Sequence, residues 1–151
     1  MRTEIVNLVK KIKNFYVERG FPHRCLARED IDVAELFGEF GLSDSDSSFV
    51  YFYQNVIGPF AGNGKYPELL DVLEGLHSIC SFSTEFWENF SGPKNVIAIS
   101  EIASGVGLFY DLEKDTVFEV EMDVDFGEFM SGELEPNWKS FDEFLIAFFE
   151  E

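Results

Sequence analysis

Residues 95–126 read NVIAISEIASGVGLFYDLEKDTVFEVEMDVDF, and the period of this stretch decides the fold. Three apolar-rich runs, 95–102, 106–112 and 116–126, are separated by Ser104-Gly105 and by Glu113-Lys114-Asp115, which predicts three strands. Connections this short join neighbouring antiparallel strands. In the third run Phe118, Val120, Met122, Val124 and Phe126 alternate with Glu119, Glu121, Asp123 and Asp125, so a strand reading puts five apolar residues on one face and four acids on the other.

Upstream of this stretch the period is helical. Ile5, Leu8, Val9, Ile12, Phe15 and Tyr16 form one stripe, and the "GFPHR" that follows stops it. "EDIDVAELFGEFG" predicts a second helix through Val33, Leu36, Phe37 and Phe40, closed by Gly41. A third helix carries Phe49, Phe52, Tyr53 and Val56, with Ser43 or Ser45 as its cap and Gly58-Pro59 as its end. Pro67 opens a fourth, with Leu69, Val72, Leu73, Leu76, Ile79 and Cys80 on one face, and "STEFWENF" adds a short helical piece. Downstream, "MSGELEPNW" reads as loop. "KSFDEFLIAFFEE" reads as a closing helix capped by Ser140, with Glu143 completing a capping box and Phe141, Phe144, Leu145 and Phe148 docking it. Helices, then sheet, then helix describe an α+β domain: a central, largely antiparallel sheet with N-terminal helices and a closing C-terminal helix packed around it.

At 151 residues one domain is expected, and 18 Phe supply an ample core. No apolar run approaches the roughly 20 residues of a membrane helix, and the N-terminus has no signal-peptide pattern, so a cytoplasmic protein is expected. Cys25 and Cys80 are not in metal-binding or redox spacing and are expected as buried thiols. The net charge of −18 disfavours nucleic acid and anionic membranes and favours cationic partners. Seven of the eleven basic residues lie within residues 1–28, so the acidity belongs to the rest of the chain.

Catalytic chemistry is poorly supplied. His23 and His77 stand apart from any nucleophile motif, and "AGNGKY" lacks the spacer and hydroxyl of a phosphate loop. With 29 Asp/Glu, any carboxylate pair can be picked, so no pair is informative. Neither metal nor cofactor is expected. Alternate residues on a strand lie about 7 Å apart, too far to share an ion that needs oxygens at about 2.4 Å, and Gly127 does not fit a calcium loop. At that spacing two like charges in water cost only about 0.6 kcal/mol. The ladder therefore reads in three ways: the wet face of a sheet, charges that keep an edge strand from pairing with another chain, or an acidic binding surface. For the last, the local density counts, with ten acids and one Lys from Asp111 to Glu135.

The order of motifs resembles the SUKH superfamily, which takes in regulators of cell-wall glucan synthesis and bacterial immunity proteins of polymorphic and contact-dependent toxin systems. The resemblance runs from about residue 28 to 149 and leaves residues 1–20 as a preceding amphipathic helix. "REDIDVAELFGEFGLSDSDSSFVYFYQNVIGP" is similar to the family's opening, "NVIAISEIASGVGLFYDLEKDTVFEV" to its central hairpin, and "KSFDEFLIAFF" to its closing helix. Ser43, Ile57 and Val106 depart from the usual proline, asparagine and polar residue. The resemblance implies a protein-binding domain without a catalytic set, most simply an immunity protein that occludes a cognate toxin such as a nuclease. A regulatory or scaffolding module of the same fold is the alternative, and a carboxylate-based enzyme a more distant one. It also implies that "TVFEVE" is the return strand and that "MDVDFGEF" leaves the sheet. Candidate partner contacts are Asp111, Asp115, Glu119, Glu121, Asp123 and Asp125. Oligomeric state has no signature in the sequence.

Overall fold

The computed structural model describes residues 2–21, 47–61, 63–71, 78–102 and 105–150. Its elements are mixed α+β: five helices and one three-stranded antiparallel sheet among the described residues. They fall into two compact units, 1–58 and 59–151. No helix among the described residues is long and apolar enough to cross a membrane. The second predicted helix, the Ser43 and Ser45 caps, Cys25, His23 and His77 lie outside the described residues.

In the first unit, α1 (Arg2–Glu18) buries Ile5, Val9, Ile12 and Tyr16, the i, i+4, i+7 core of the predicted stripe, while Phe15 stays half exposed beneath the Arg19 guanidinium. α2 (Ser48–Asn55) packs against α1 and buries Phe49, Val50, Phe52 and Tyr53. It follows Ser47 and ends three residues before the predicted Gly58. Lys13 Nζ reaches Asn55 Oδ1 at 3.4 Å across the two helices.

The second unit holds the sheet, in the order β1 (Val96–Ala98), β2 (Val106–Asp111), β3 (Thr116–Glu121). The β2–β3 register pairs Val106 with Glu121, Phe109 with Phe118 and Asp111 with Thr116. From Gly107 to Asp111 every residue of β2 is buried, so both faces of the sheet are covered. On one face Phe109 meets Phe86 of α3 (Ile79–Asn89) at 5.0 Å between ring centroids and Phe129 of α4 (Phe126–Ser131) at 4.8 Å. On the other, Tyr110 meets Phe141 of α5 (Phe141–Phe149) at 5.2 Å, and Phe144, Leu145 and Phe148 of α5 are fully buried with Leu108 and Val117. Ser140 Oγ caps α5 by accepting the Glu143 N–H at 3.1 Å. The Glu143 carboxylate takes the Lys139 N–H, one residue before the position a capping box uses.

Several expectations are corrected here. The helix predicted from Pro67 does not form over its described residues 67–71: Leu69 exchanges both backbone hydrogen bonds with Phe60 at 2.8 Å, and the Leu70 N–H goes to the Ile99 carbonyl, so these groups pair with the sheet side instead of an i−4 turn. α3 starts at Ile79, where Ser78 Oγ accepts the Ser81 N–H, and runs through the piece read as a separate short helix. Cys80 on α3 is half-buried rather than buried. The third strand stops at Glu121, the boundary the resemblance implies, instead of Phe126. Met122–Asp125 is a turn, and residues 126–131, expected as strand at Phe126 and loop from Met130, form α4, closed by Gly132 at φ +82° with the Glu133 N–H returning to Glu128.

Candidate functional site

The six acids picked from the sequence occupy three different environments. Asp111 ends β2 and is 6% exposed. Its Oδ1 accepts the Glu113 N–H at 2.9 Å, the Lys114 N–H at 3.1 Å and the Asn95 side-chain amide at 3.3 Å, so its carboxylate shapes the hairpin turn. Asp125 does the same for the next turn: Oδ2 accepts the Glu121 N–H at 3.2 Å while the Asp125 N–H returns to the Glu121 carbonyl at 2.7 Å.

Asp115 closes the hairpin with φ +58°, a left-handed position that Asp tolerates better than most residues. The residue is exposed at the surface, yet its carboxyl turns inward, where Oδ1 accepts the Tyr110 hydroxyl at 2.5 Å. Burial pushes its pKa above the ordinary value, against the lowering effect of the Tyr110 hydroxyl and the Phe141 N–H, and the nearby Asp142 charge pushes it further up. Glu119 is half-buried, and burial raises its carboxyl as well. Glu121 and Asp123 are open to water.

The apolar and acidic rows therefore part company at the end of the strand. Phe118, Val120 and Met122 pack on the α3/α4 face, but Val124, the next residue in the alternation, is 69% exposed because the chain has already turned. On the opposite face Val117 is covered by the α5 side, so the acidic row is open only toward Glu121. Four acids do not line up. What the turn and α4 carry instead is a run of exposed carboxylates at Glu121, Asp123 and Glu128, while the exposed Glu113 sits in the β2–β3 turn at the opposite end of β3. Among the described residues no group of three or more His, Cys, Asp or Glu side chains is placed to hold a metal ion.

The edge-protection reading of the ladder also meets a structural answer. The outward N–H groups of β3 at Val117, Glu119 and Glu121 go to the Trp138 carbonyl at 3.0 Å, Asn137 Oδ1 at 2.9 Å and Asp125 Oδ2. On the other edge, the Ala98 N–H goes to Ser83 Oγ at 2.9 Å, the Val96 carbonyl accepts Trp87 Nε1–H at 2.8 Å, and the Val96 N–H goes to the Pro93 carbonyl at 3.1 Å. Both edges are closed by hydrogen bonds, with charge playing no part in it beyond Asp125. The residues responsible, Ser83, Trp87, Asn137 and Trp138, carry no local signal of that role. No family model, curated protein or solved structure matches the chain.

Proposed function

We propose that this chain is a non-enzymatic protein-binding domain that acts in the cytoplasm by covering the basic active-site surface of a cognate toxin. The observation that carries the reading is charge placement. Residues 59–151 hold 20 Asp/Glu against four Lys, a net −16, while residues 1–58 hold nine acids against seven bases, a net −2. The exposed Glu121, Asp123 and Glu128 contribute to that field at the 122–125 turn and α4, and Glu113 contributes at the β2–β3 turn. Such a field raises the encounter rate with a cationic groove by about tenfold to a thousandfold and repels phosphate backbones. The motif order that resembles immunity proteins supports a toxin as the partner class, and a nuclease active site has the required sign of charge.

Of the six acids picked from the sequence, Glu121 and Asp123 are the contacts best presented to a partner. Asp111 and Asp125 spend their carboxylates on backbone N–H groups, so they hold the surface in shape. The test is co-expression with the product of the adjacent toxin gene, followed by stopped-flow association at several salt concentrations. Growth is expected to be restored, the association rate to fall as salt rises, and a Glu121→Lys/Asp123→Lys double variant to associate about tenfold more slowly with dissociation less changed. Absence of a complex at low salt overturns the proposal.

A further inference from the structure

Beside the acidic turn, the second unit carries an apolar groove of about 110 Å³. Phe86 and Phe109, both nearly fully buried, form its floor. Phe90 and Ile102, 48% and 51% exposed, stand at its mouth with Met122 and Phe126. Large apolar side chains left half in water around a concave floor mark a contact surface more than a random exposure.

Charge and volume select the occupant. Glu85 lines the groove, Glu101 precedes Ile102, and Glu121, Asp123 and Asp125 bracket Met122 and lead into Phe126, whereas none of the four lysines of this unit lines it. A second copy of the chain would bring another −18 against this acidic rim, so self-association is opposed. The space is smaller than the roughly 150 Å³ cavity that admits benzene, so it suits one aliphatic side chain better than an aromatic ring.

We propose that this groove takes one aliphatic side chain of a basic partner segment, with lysines or arginines flanking it placed to meet Glu85 and Asp123. The proposal rests on the acidic-surface reading for the sign of the partner's charge and adds to it an apolar anchor. Interfaces combine the two in this manner, an apolar centre with a polar rim.

The experiment uses the full chain, methyl-labelled so that Ile102 and Met122 report by NMR, and three synthetic peptides: a single central leucine flanked by lysines, the same peptide with glutamine for leucine, and the leucine peptide with glutamates for lysines. The leucine–lysine peptide is expected to move the Ile102 and Met122 methyl signals and to bind about tenfold to a hundredfold more tightly than its glutamine counterpart, the range expected from burying one leucine side chain. Ile102→Ser and, as a second variant at another half-exposed position, Phe90→Ser are expected to remove that difference while leaving the lysine-dependent part of binding. Equal binding of the leucine and glutamine peptides overturns the groove and leaves the acidic surface standing. Equal binding of the glutamate peptide, or methyl signals that do not move, also overturns the groove, and failure of both lysine peptides to bind counts against the acidic surface as well.

Discussion

Ser83→Ala tests whether a helix side chain closes the β1 edge. Ser83 is fully buried, and its Oγ is the partner of the Ala98 N–H at 2.9 Å, with the Ala98 carbonyl at 3.5 Å on the same hydroxyl. Alanine removes few atoms, so the cavity contribution is small. The main effect is that a buried backbone N–H loses its acceptor, which costs about 1–3 kcal/mol for the unsatisfied group. With a urea slope of about 1–3 kcal/mol/M for a domain of this size, a loss of about 2 kcal/mol moves the unfolding midpoint down by roughly 1 M. Trp87 and Trp138 both lie in the unit that holds the sheet and serve as the fluorescence probes. Ser83→Thr keeps the hydroxyl and is expected to retain most of the stability, which separates the lost acceptor from general crowding at this site. A Ser83→Ala midpoint within about 0.2 M of the parent, with an unchanged slope, refutes the reasoning, because it means that the Ala98 N–H finds water or another acceptor at little cost.

Gly92→Ala is expected to destabilise by about 1–3 kcal/mol in the same urea assay: a Cβ there would overlap the edge of the Phe86 ring, and that ring is held by Phe109 and Phe129. Asp115→Asn is expected to be at least as stable as the parent at pH 7, since Asn accepts the left-handed φ and still offers an oxygen to Tyr110. The sign follows from the raised pKa of Asp115: its protonated form stabilises the native state below the ordinary carboxyl pKa, and this contribution disappears as pH rises through the raised native value. The parent-minus-variant stability, measured by urea unfolding from pH 3 to 7, is therefore expected to fall with rising pH, and a flat difference refutes the assignment.

The parts of the fold legible in the sequence are those set by local period. β2 and β3 follow their apolar runs, α5 follows Ser140 and its Phe stripe, and α1 follows the stripe from Ile5 to Tyr16. The five buried residues of β2 go with helices on both faces, whereas the alternation in β3 alone leaves a wet face, edge protection and a binding surface equally open. α4 was hidden because "EVEMDVDF" keeps a period of two while the chain turns. The turn is held by the Asp125 carboxylate on the Glu121 N–H, a contact that alternation does not encode. Residues 67–71 look helical in the sequence yet are not, because Leu69 satisfies its backbone across the chain, with Phe60 and next to Ser100, which no i, i+4 count can detect. The site suffered from the same limitation: Asp111 and Asp123 look alike in the sequence, yet one carboxylate is used by three N–H donors and the other is open to water.

The closed sheet edges constrain how this domain can bind. A strand from a partner adds to a sheet through unpaired N–H and C=O groups, and the outward N–H groups of β3, together with those of Val96 and Ala98 on β1, are already committed. The sheet faces are occupied as well, by α3 and α4 on one side and α5 on the other. A partner of the second unit therefore has to be recognised by side chains outside the sheet, at the hairpin, the turn at 122–125 and the helices beside them. There the exposed carboxylates and the half-exposed Phe90 and Ile102 offer different contributions. Charges at a solvated rim act mainly on the rate of encounter, and a desolvated apolar anchor acts mainly on the lifetime of the complex. If both belong to one interface, removing charge at Glu121 and Asp123 slows association, and removing apolar surface at Ile102 shortens the complex. The two losses then fall on different rate constants of the same reaction.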